Sequence, residues 1–286
     1  MFEIAHREDL APTVHLFQIH APDVARKARP GQFIMLMVDE EGERIPLTIA
    51  DWDKDSGNVS IVVSAVGKTT RKLATLRQGD SVAHFVGPLG RPSSIDRYGR
   101  VACVAMGYGK FAMVPIARAL REAGNEVCSV VSATTKDDLF GMERLGSVSD
   151  SMTATTSDGS YGEHGWVIAP LKRLLDSDTP VGRVYAIGSI CMMRLVSAMT
   201  NGRNIPTLVS LNPIMVDGTG MCGACRVSVG GCTKFACVDG PEFDAHGVDF
   251  TELILRNRAY RKQETQAVEA MRAHECKAEK KAAEHV

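Results

Sequence analysis

The hydrophobic pattern of this chain changes period near Gly99, and that change restricts its architecture more than any other feature. Ahead of it, short β-rich runs (Thr13 to His20, Phe33 to Val38, Val59 to Val66, Ser81 to Val86) are cut by Pro30-Gly31, Asp55-Ser56-Gly57-Asn58 and Gly79-Asp80. Such spacing predicts a small antiparallel barrel, with one helix inside it from Thr69 to Leu76. Behind Gly99, the expected strands are Val101 to Met106, Val127 to Ala133, Met152 to Thr156, Val184 to Ile187 and Thr207 to Leu211. Between them lie amphipathic helices: Ala112 to Ala123, stopped by Gly124, and others near Asp138 to Leu145, Pro170 to Leu175 and Met192 to Thr200. Strand and helix in alternation imply a parallel sheet.

At about 150 residues per domain, 286 residues suggest two folded units. The expected division is a barrel over 1–98, an α/β unit over 99–211, a Gly- and Cys-rich loop over 212–249, and a C-terminal helix with a charged tail over 250–286. The Lys/Glu/Ala tail reads as solvated or frayed. The balance of 33 basic and 34 acidic side chains argues against a general nucleic-acid binder, which needs a basic surface to displace counterions. No apolar run approaches the ~20 residues that cross a bilayer. Glu3, Arg7, Glu8 and Asp9 stand where a signal peptide needs an apolar stretch, so the expected location is cytoplasmic, without membrane or nucleic-acid partners. In a reducing compartment the eight cysteines are not expected to form a disulfide framework, and four of them, Cys222, Cys225, Cys232 and Cys237, fall within 16 residues.

The segment Asp217-Gly-Thr-Gly-Met-Cys222-Gly-Ala-Cys225, followed by Cys237, reproduces the C-x4-C-x2-C spacing of plant-type [2Fe-2S] ferredoxins with Asp217 in the first slot. A zinc knuckle on the four cysteines, or unligated thiols, are the rival readings. Arg226 to Val229 and Cys232 to Ala236, joined by Gly230-Gly231, read as a β-hairpin in which Val229 pairs with Cys232 and Ala224 with Cys237. Cys232 then sits at the tip, ~13 Å from the level of Cys225, which makes Asp217, or else a group from outside this chain, a better fourth ligand than Cys232.

Three further segments suit a nucleotide. Gly107-Tyr108-Gly109-Lys110-Phe111 lies between a strand and a helix, where backbone N–H groups approach a pyrophosphate, or else forms an ordinary βα turn. Arg44-Ile45-Pro46-Leu47-Thr48-Ile49 offers a guanidinium fork and a hydroxyl, and Gly67-Lys68-Thr69-Thr70 a helix start; surface strand and helix cap are the plain alternatives. Carboxylates in Ser132 to Asp138, with no arginine, favour NAD(H) over NADP(H). No acid-base or nucleophile constellation is present, the eight histidines being scattered, so no catalytic residue is expected.

In the order of these pieces the chain resembles the ferredoxin-NADP reductase superfamily, from the first strand to about Tyr260. The most specific stretches are Ser210-Leu-Asn-Pro-Ile-Met-Val-Asp217 running on to Cys225, and Phe235-Ala-Cys237-Val-Asp-Gly-Pro-Glu-Phe-Asp244. Within the superfamily it is similar to the electron-transfer subunits of dihydroorotate dehydrogenase, of sulfide dehydrogenase and of NADH-dependent reduced ferredoxin:NADP oxidoreductase, an electron-bifurcating transhydrogenase. Dihydroorotate-type subunits usually carry Cys where this chain has Asp217, which favours the other two branches.

The resemblance implies a β + α/β fold, an antiparallel FAD-binding barrel followed by a parallel-sheet nucleotide-binding unit with a C-terminal iron-sulfur loop. It implies FAD held by Arg44, Pro46, Leu47, Thr48, Ile49, Gly67, Lys68, Thr69 and Thr70. It places NAD(H) near Gly107, Gly109, Asp158-Gly159 and Gly188, and a [2Fe-2S] cluster on Asp217, Cys222, Cys225 and Cys237. The implied role is exchange of hydride between NAD(H) and FAD, and of single electrons with a larger flavin and iron-sulfur subunit in a heterodimer, reaching ferredoxin indirectly. Alternatives are an electron-input subunit for sulfide, polysulfide or dihydroorotate, and a non-catalytic regulatory module that binds nucleotide and metal. Where the superfamily usually has G-G-G-x-G-x-A-P, Tyr108 and Phe111 add bulk beside the expected pyrophosphate, and Lys110 adds a charge that either compensates or is solvated; Gly188-Ser189 replaces the usual Gly-Pro.

Overall fold

The computed structural model describes the backbone of residues 1–283 and the side chains of residues 1–271 and 273. The first part holds β1 (Phe2–Ala11), β2 (Val14–His20), α1 (Pro22–Lys27), β3 (Phe33–Met37), β4 (Ile45–Asp53), β5 (Asn58–Ser64), α2 (Lys68–Thr75), β6 (Ser81–Val82) and β7 (His84–Leu89). These seven strands form one sheet in the order β6-β1-β2-β5-β4-β3-β7, with every pairing antiparallel. Its two edge strands are consecutive in the chain, separated only by Ala83. The chain itself therefore closes the sheet into a nearly complete barrel, which removes most of the exposed edge. Phe17, Ile19, Ile34, Leu36, Ile49, Ile61 and Phe85 fill the interior, with Leu73 of α2 and Val24 and Ala25 of α1 packed against them.

The barrel has two helices where the pattern suggested one. The added helix α1 is a six-residue turn with Pro22 in its first turn, too short for a helical period to show but consistent with proline at a helix start. Strand β1 also exceeds expectation, because the charged Arg7, Glu8 and Asp9 interrupt its apolar run.

The second part holds β8 (Arg100–Met106), α3 (Gly109–Glu122), β9 (Glu126–Ala133), α4 (Met142–Gly146), β10 (Ser151–Thr156), β11 (Glu163–His164), α5 (Ile168–Leu175), β12 (Val181–Ile187), α6 (Ile190–Asn201) and β13 (Thr207–Ser210). Its sheet runs β11-β10-β9-β8-β12-β13-β16, parallel except where β16 (Glu242–Asp244) joins antiparallel to β13. Strand order reverses at β8 and β12, and ligands of doubly wound sheets bind at the carboxyl ends of such a pair. Met113, Ile116 and Leu120 of α3 cover one face, and Leu171, Met192 and Val196 of α5 and α6 cover the other. The helix expected over Asp138 to Leu145 is instead a 3-10 turn at Lys136–Leu139 followed by α4. Phe140 leaves the helical path to stack on Phe111 with ring centroids 6.0 Å apart.

The last segment carries the hairpin β14 (Arg226–Val229) and β15 (Cys232–Phe235), then α7 (Phe250–Arg256) and α8 (Arg261–Ala283). The hairpin pairs Val229 with Cys232 as expected. Phe250 and Leu253 of α7 are buried in the α/β core, so that face packs within this chain, while Leu255 and Tyr260 stay exposed. The Lys/Glu/Ala stretch is helical to Ala283, as strong helix formers favour, and the end of the tail expected to be solvated or frayed, 284–286, lies outside the described residues. Among the described residues no helix is long and apolar enough to cross a membrane.

Candidate functional site

A cleft of about 730 Å³ separates the barrel from the carboxyl edge of the α/β sheet. Pro46, Leu47, Thr48 and Thr70 line its barrel side; Gly107, Gly109 and Gly188 line the other. A third wall is Asn212, Pro213 and Met215, the run that leads into the cysteine loop. No periodicity or ligand spacing marks this run as part of the site; only its position in the fold does. Seven of the expected nucleotide- and flavin-binding residues thus meet in one cavity.

The others stand apart from its lining. Ile49 is buried in the barrel core. Gly67 is the cap of α2: its N–H donates to the Thr70 hydroxyl at 3.0 Å, and that hydroxyl donates back to the Gly67 carbonyl at 3.2 Å. Lys68 and Thr69 form the first turn of that helix. Asp158 and Gly159 lie on the loop after β10, two strands along the edge from β8, where the Ser160 hydroxyl and N–H bind Asp158 at 2.7 and 3.0 Å and hold its carboxyl below the usual carboxylate range. Arg44 is outside the cleft, near Asp217.

The dinucleotide-type turn is built by close approach. A Cβ on Gly109 would fall 2.3 Å from the Ile187 carbonyl oxygen, so the start of α3 can lie against β12 only with glycine there. Of the variant motif, the charge turns away from the cavity, while the bulk of Tyr108 and Phe111 stays in its lining. Lys110 is neither solvated nor aimed at the cleft: it is 1% exposed, its Nζ donating to the Asp138 and Gly107 carbonyls at 2.9 and 3.2 Å and lying 4.0 Å from the Phe140 ring centroid. Burial lowers its pKa to about 8, against smaller opposing contributions from Asp138 and Glu143. Phe111 is buried. Tyr108 crosses the cleft mouth and donates to the Ser64 hydroxyl at 2.8 Å.

The cysteine loop leans on the barrel: a Cβ on Gly218 would meet Met35 Cγ at 2.5 Å. Cys225 and Cys237 are buried with their sulfurs 3.2 Å apart, and burial followed by the Cys225 sulfur pushes the Cys237 thiol up to about 12. Cys222 is exposed, and the Ala224 N–H, followed by those of Asp217 and Val216, lowers its pKa. Asp217 accepts from the Thr219 N–H at 2.9 Å and from the Thr219 hydroxyl. These bonds, with a smaller contribution from Arg44, hold its carboxyl below the usual range. Cys232 is exposed at the hairpin tip. Among the described residues no three His, Cys, Asp or Glu side chains already form a cation cage. The loop instead joins a buried sulfur pair to a rim of Cys222 and Asp217. Thiolates facing peptide N–H groups suit an iron-sulfur cluster, whose sulfur charge such donors stabilise. Behind the loop, Glu242 accepts from the Ser93 hydroxyl at 2.7 Å through one oxygen, its other oxygen is buried without a partner, and burial pushes the carboxyl up to about 7.

Comparison with known proteins adds four findings. The model of the iron-sulfur cluster binding domain of dihydroorotate dehydrogenase B matches residues 212–249. A dihydroorotate dehydrogenase B (NAD(+)) electron transfer subunit homolog of Thermotoga maritima is 46% identical over 262 residues, covering 92% of each chain. A probable electron transfer subunit of the same enzyme from Methanopyrus kandleri is 31% identical, over 87% of this chain and 91% of that one. Among solved structures, one reported for the NADH-dependent reduced ferredoxin-NADP oxidoreductase and flavin-based electron bifurcation is 43% identical with a TM-score of 0.89, covering 95% of this chain and 98% of that one.

Proposed function

This chain belongs to the family of dihydroorotate dehydrogenase B electron-transfer subunits and their homologues, and from that premise we propose that it serves an NADH-dependent reduced ferredoxin:NADP oxidoreductase. It is an oxidoreductase subunit and a flavoprotein that works with NAD(P)H and an iron-sulfur centre. The observation that supports the finer reading is Asp217 in the first ligand slot, together with the likeness to the reduced ferredoxin-NADP oxidoreductase structure; the shared cleft, with walls from the barrel, the dinucleotide-type turn and the run entering the cysteine loop, supports the chemistry common to the family.

The proposed division of labour follows those walls. Residues 1–98 hold FAD, with Pro46, Leu47, Thr48 and Thr70 against it, the α2 start at Gly67, Lys68 and Thr69 near its phosphates, and Arg44 and Ile49 supporting the same strand. Residues 99–211 hold NAD(H) on Gly107, Gly109 and Gly188, with Asp158-Gly159 further along the edge; Asp137 and Asp138 favour it over NADP(H) by repelling a 2′-phosphate. Residues 212–249 hold the [2Fe-2S] cluster on Asp217, Cys222, Cys225 and Cys237. When bound, these groups supply hydride exchange and one-electron carriage. The apolar cleft walls exclude water from the reacting rings, and the buried Cys225 and Cys237 hold the inner side of the cluster while Cys222 faces outward. A larger flavin and iron-sulfur subunit completes the heterodimer and links it to ferredoxin.

The named relatives favour a second reading, electron input to a dihydroorotate dehydrogenase. The purified chain should show flavin and [2Fe-2S] absorption, and NADH should bleach both. With the larger subunit added, oxidation of reduced ferredoxin should couple to NADP reduction. Turnover with dihydroorotate instead selects the second reading; a colourless zinc protein overturns both. Asp217→Ala should change the reduced-cluster EPR signal.

A further inference from the structure

The two peptide groups that span the turn from Cys222 to Cys225 are held by their oxygens. Arg226 donates to the Gly223 carbonyl at 3.1 Å, and Arg256 donates to the Ala224 carbonyl at 3.2 Å. In a trans peptide the carbonyl and the N–H of one plane point in opposite directions. Fixing these two oxygens toward guanidinium groups therefore turns the Ala224 and Cys225 N–H groups the other way, toward the concave side of the loop where the sulfurs lie. The Ala224 N–H faces the Cys222 sulfur.

Arg256 is a long-range element of this arrangement, 32 residues from the carbonyl it binds. It ends α7, where helix carbonyls favour a cation, and α7 is anchored by the buried Phe250 and Leu253. The next residue, Asn257, donates to the Asn212 carbonyl at 3.0 Å. One helix end therefore grips the cluster segment both at its entrance and at its ligand turn. Arg226 is local and exposed, on the first residue of β14.

We propose that Arg256 and Arg226 are positioning residues for the iron-sulfur ligands, aiming peptide N–H groups at the sulfurs and tuning the reduction potential of the centre. The inference rests on the [2Fe-2S] reading above. Both the aimed N–H groups and the nearby positive charge stabilise the reduced, more negative state, so removing either guanidinium makes the centre harder to reduce.

The test is a redox titration of the full chain, followed by EPR, for the wild type, Arg256→Met, Arg256→Lys and Arg226→Met, with iron content and thermal midpoint measured on each. Arg256→Met should lower the reduction equilibrium constant three- to tenfold, about 30 to 60 mV for a one-electron couple, at unchanged iron content. Arg256→Lys should recover part of that shift, and Arg226→Met should move the same way by less. A purely structural tie would lower the thermal midpoint and leave the potential in place; that result overturns the proposal. Should Arg256→Met fail to hold iron, Arg226→Met decides, since an exposed side chain does not threaten the fold, and an unchanged potential there overturns the proposal as well. A wild type that holds no cluster fails the functional reading, a different outcome from a loaded wild type whose variants do not shift.

Discussion

The turn at Gly107–Gly109 and the loop from Asp217 to Cys225 are both glycine-rich, yet the first is held from beneath by a buried side chain and the second from outside by guanidinium groups. Under the turn, Lys110 binds two backbone carbonyls within an aromatic pocket formed with Phe140. Around the loop, Arg226 and Arg256 reach in from a hairpin and a helix. A turn supported by core cannot be altered without cost to folding, whereas a loop supported by surface groups can lose its cofactor while the chain stays folded.

The sharpest way to break this contrast is through the ligands. Cys225→Ser should abolish cluster binding while FAD is retained, and Cys232→Ser should leave iron content unchanged; iron and flavin assays on both variants check this. If Cys225→Ser also sheds flavin, the loop is not energetically separate from the barrel.

A second effect concerns pH. The buried Glu242 carboxyl, raised to about 7, favours its protonated form, so its stabilising contribution is complete below the ordinary carboxyl value and is lost as pH rises through about 7. The loss is on the order of 3 kcal/mol. Glu242→Gln should therefore unfold at a higher temperature than the wild type at pH 8 and at a similar temperature at pH 4, read from thermal melts. An equal pH slope in both proteins places the titrating group elsewhere.

Gly109→Ala drives a methyl group into the Ile187 carbonyl and should cost about 1–3 kcal/mol. Its mark should be a weakened flavin response to NADH with normal iron content, the reverse of the cysteine variant. The smallest effect is expected at the two-part contact: Asp51→Asn breaks the paired bonds of 2.9 and 3.0 Å from Arg118 of α3 to β4. Both groups are partly exposed, so the melting experiment should show a loss of only ~0.2–1 kcal/mol.

Much of this arrangement was legible in advance, because regular elements announce themselves through period. Five of the seven strands in the α/β sheet match the expected runs to within three residues, whereas the short β11 and β16 carry no periodic signal, and the hairpin register at Val229 and Cys232 follows from a two-residue turn. The ligand candidates followed from spacing alone. Short or charge-interrupted elements were hidden for the matching reason: α1 has too few residues to show a helical face, and the charges on β1 mask its alternation.

Neighbours along the chain thus set the two kinds of sheet and their order, and mark which residues are candidates to ligate iron or face a phosphate. Packing alone buries Lys110 instead of offering it to a phosphate, leaves Arg44 out of the cleft lining with its charge felt at Asp217, and brings Arg256 to a carbonyl 32 residues away. Each of those outcomes depends on which segments the folded chain brings together. A side chain's chemistry is local, but its partner is chosen by packing.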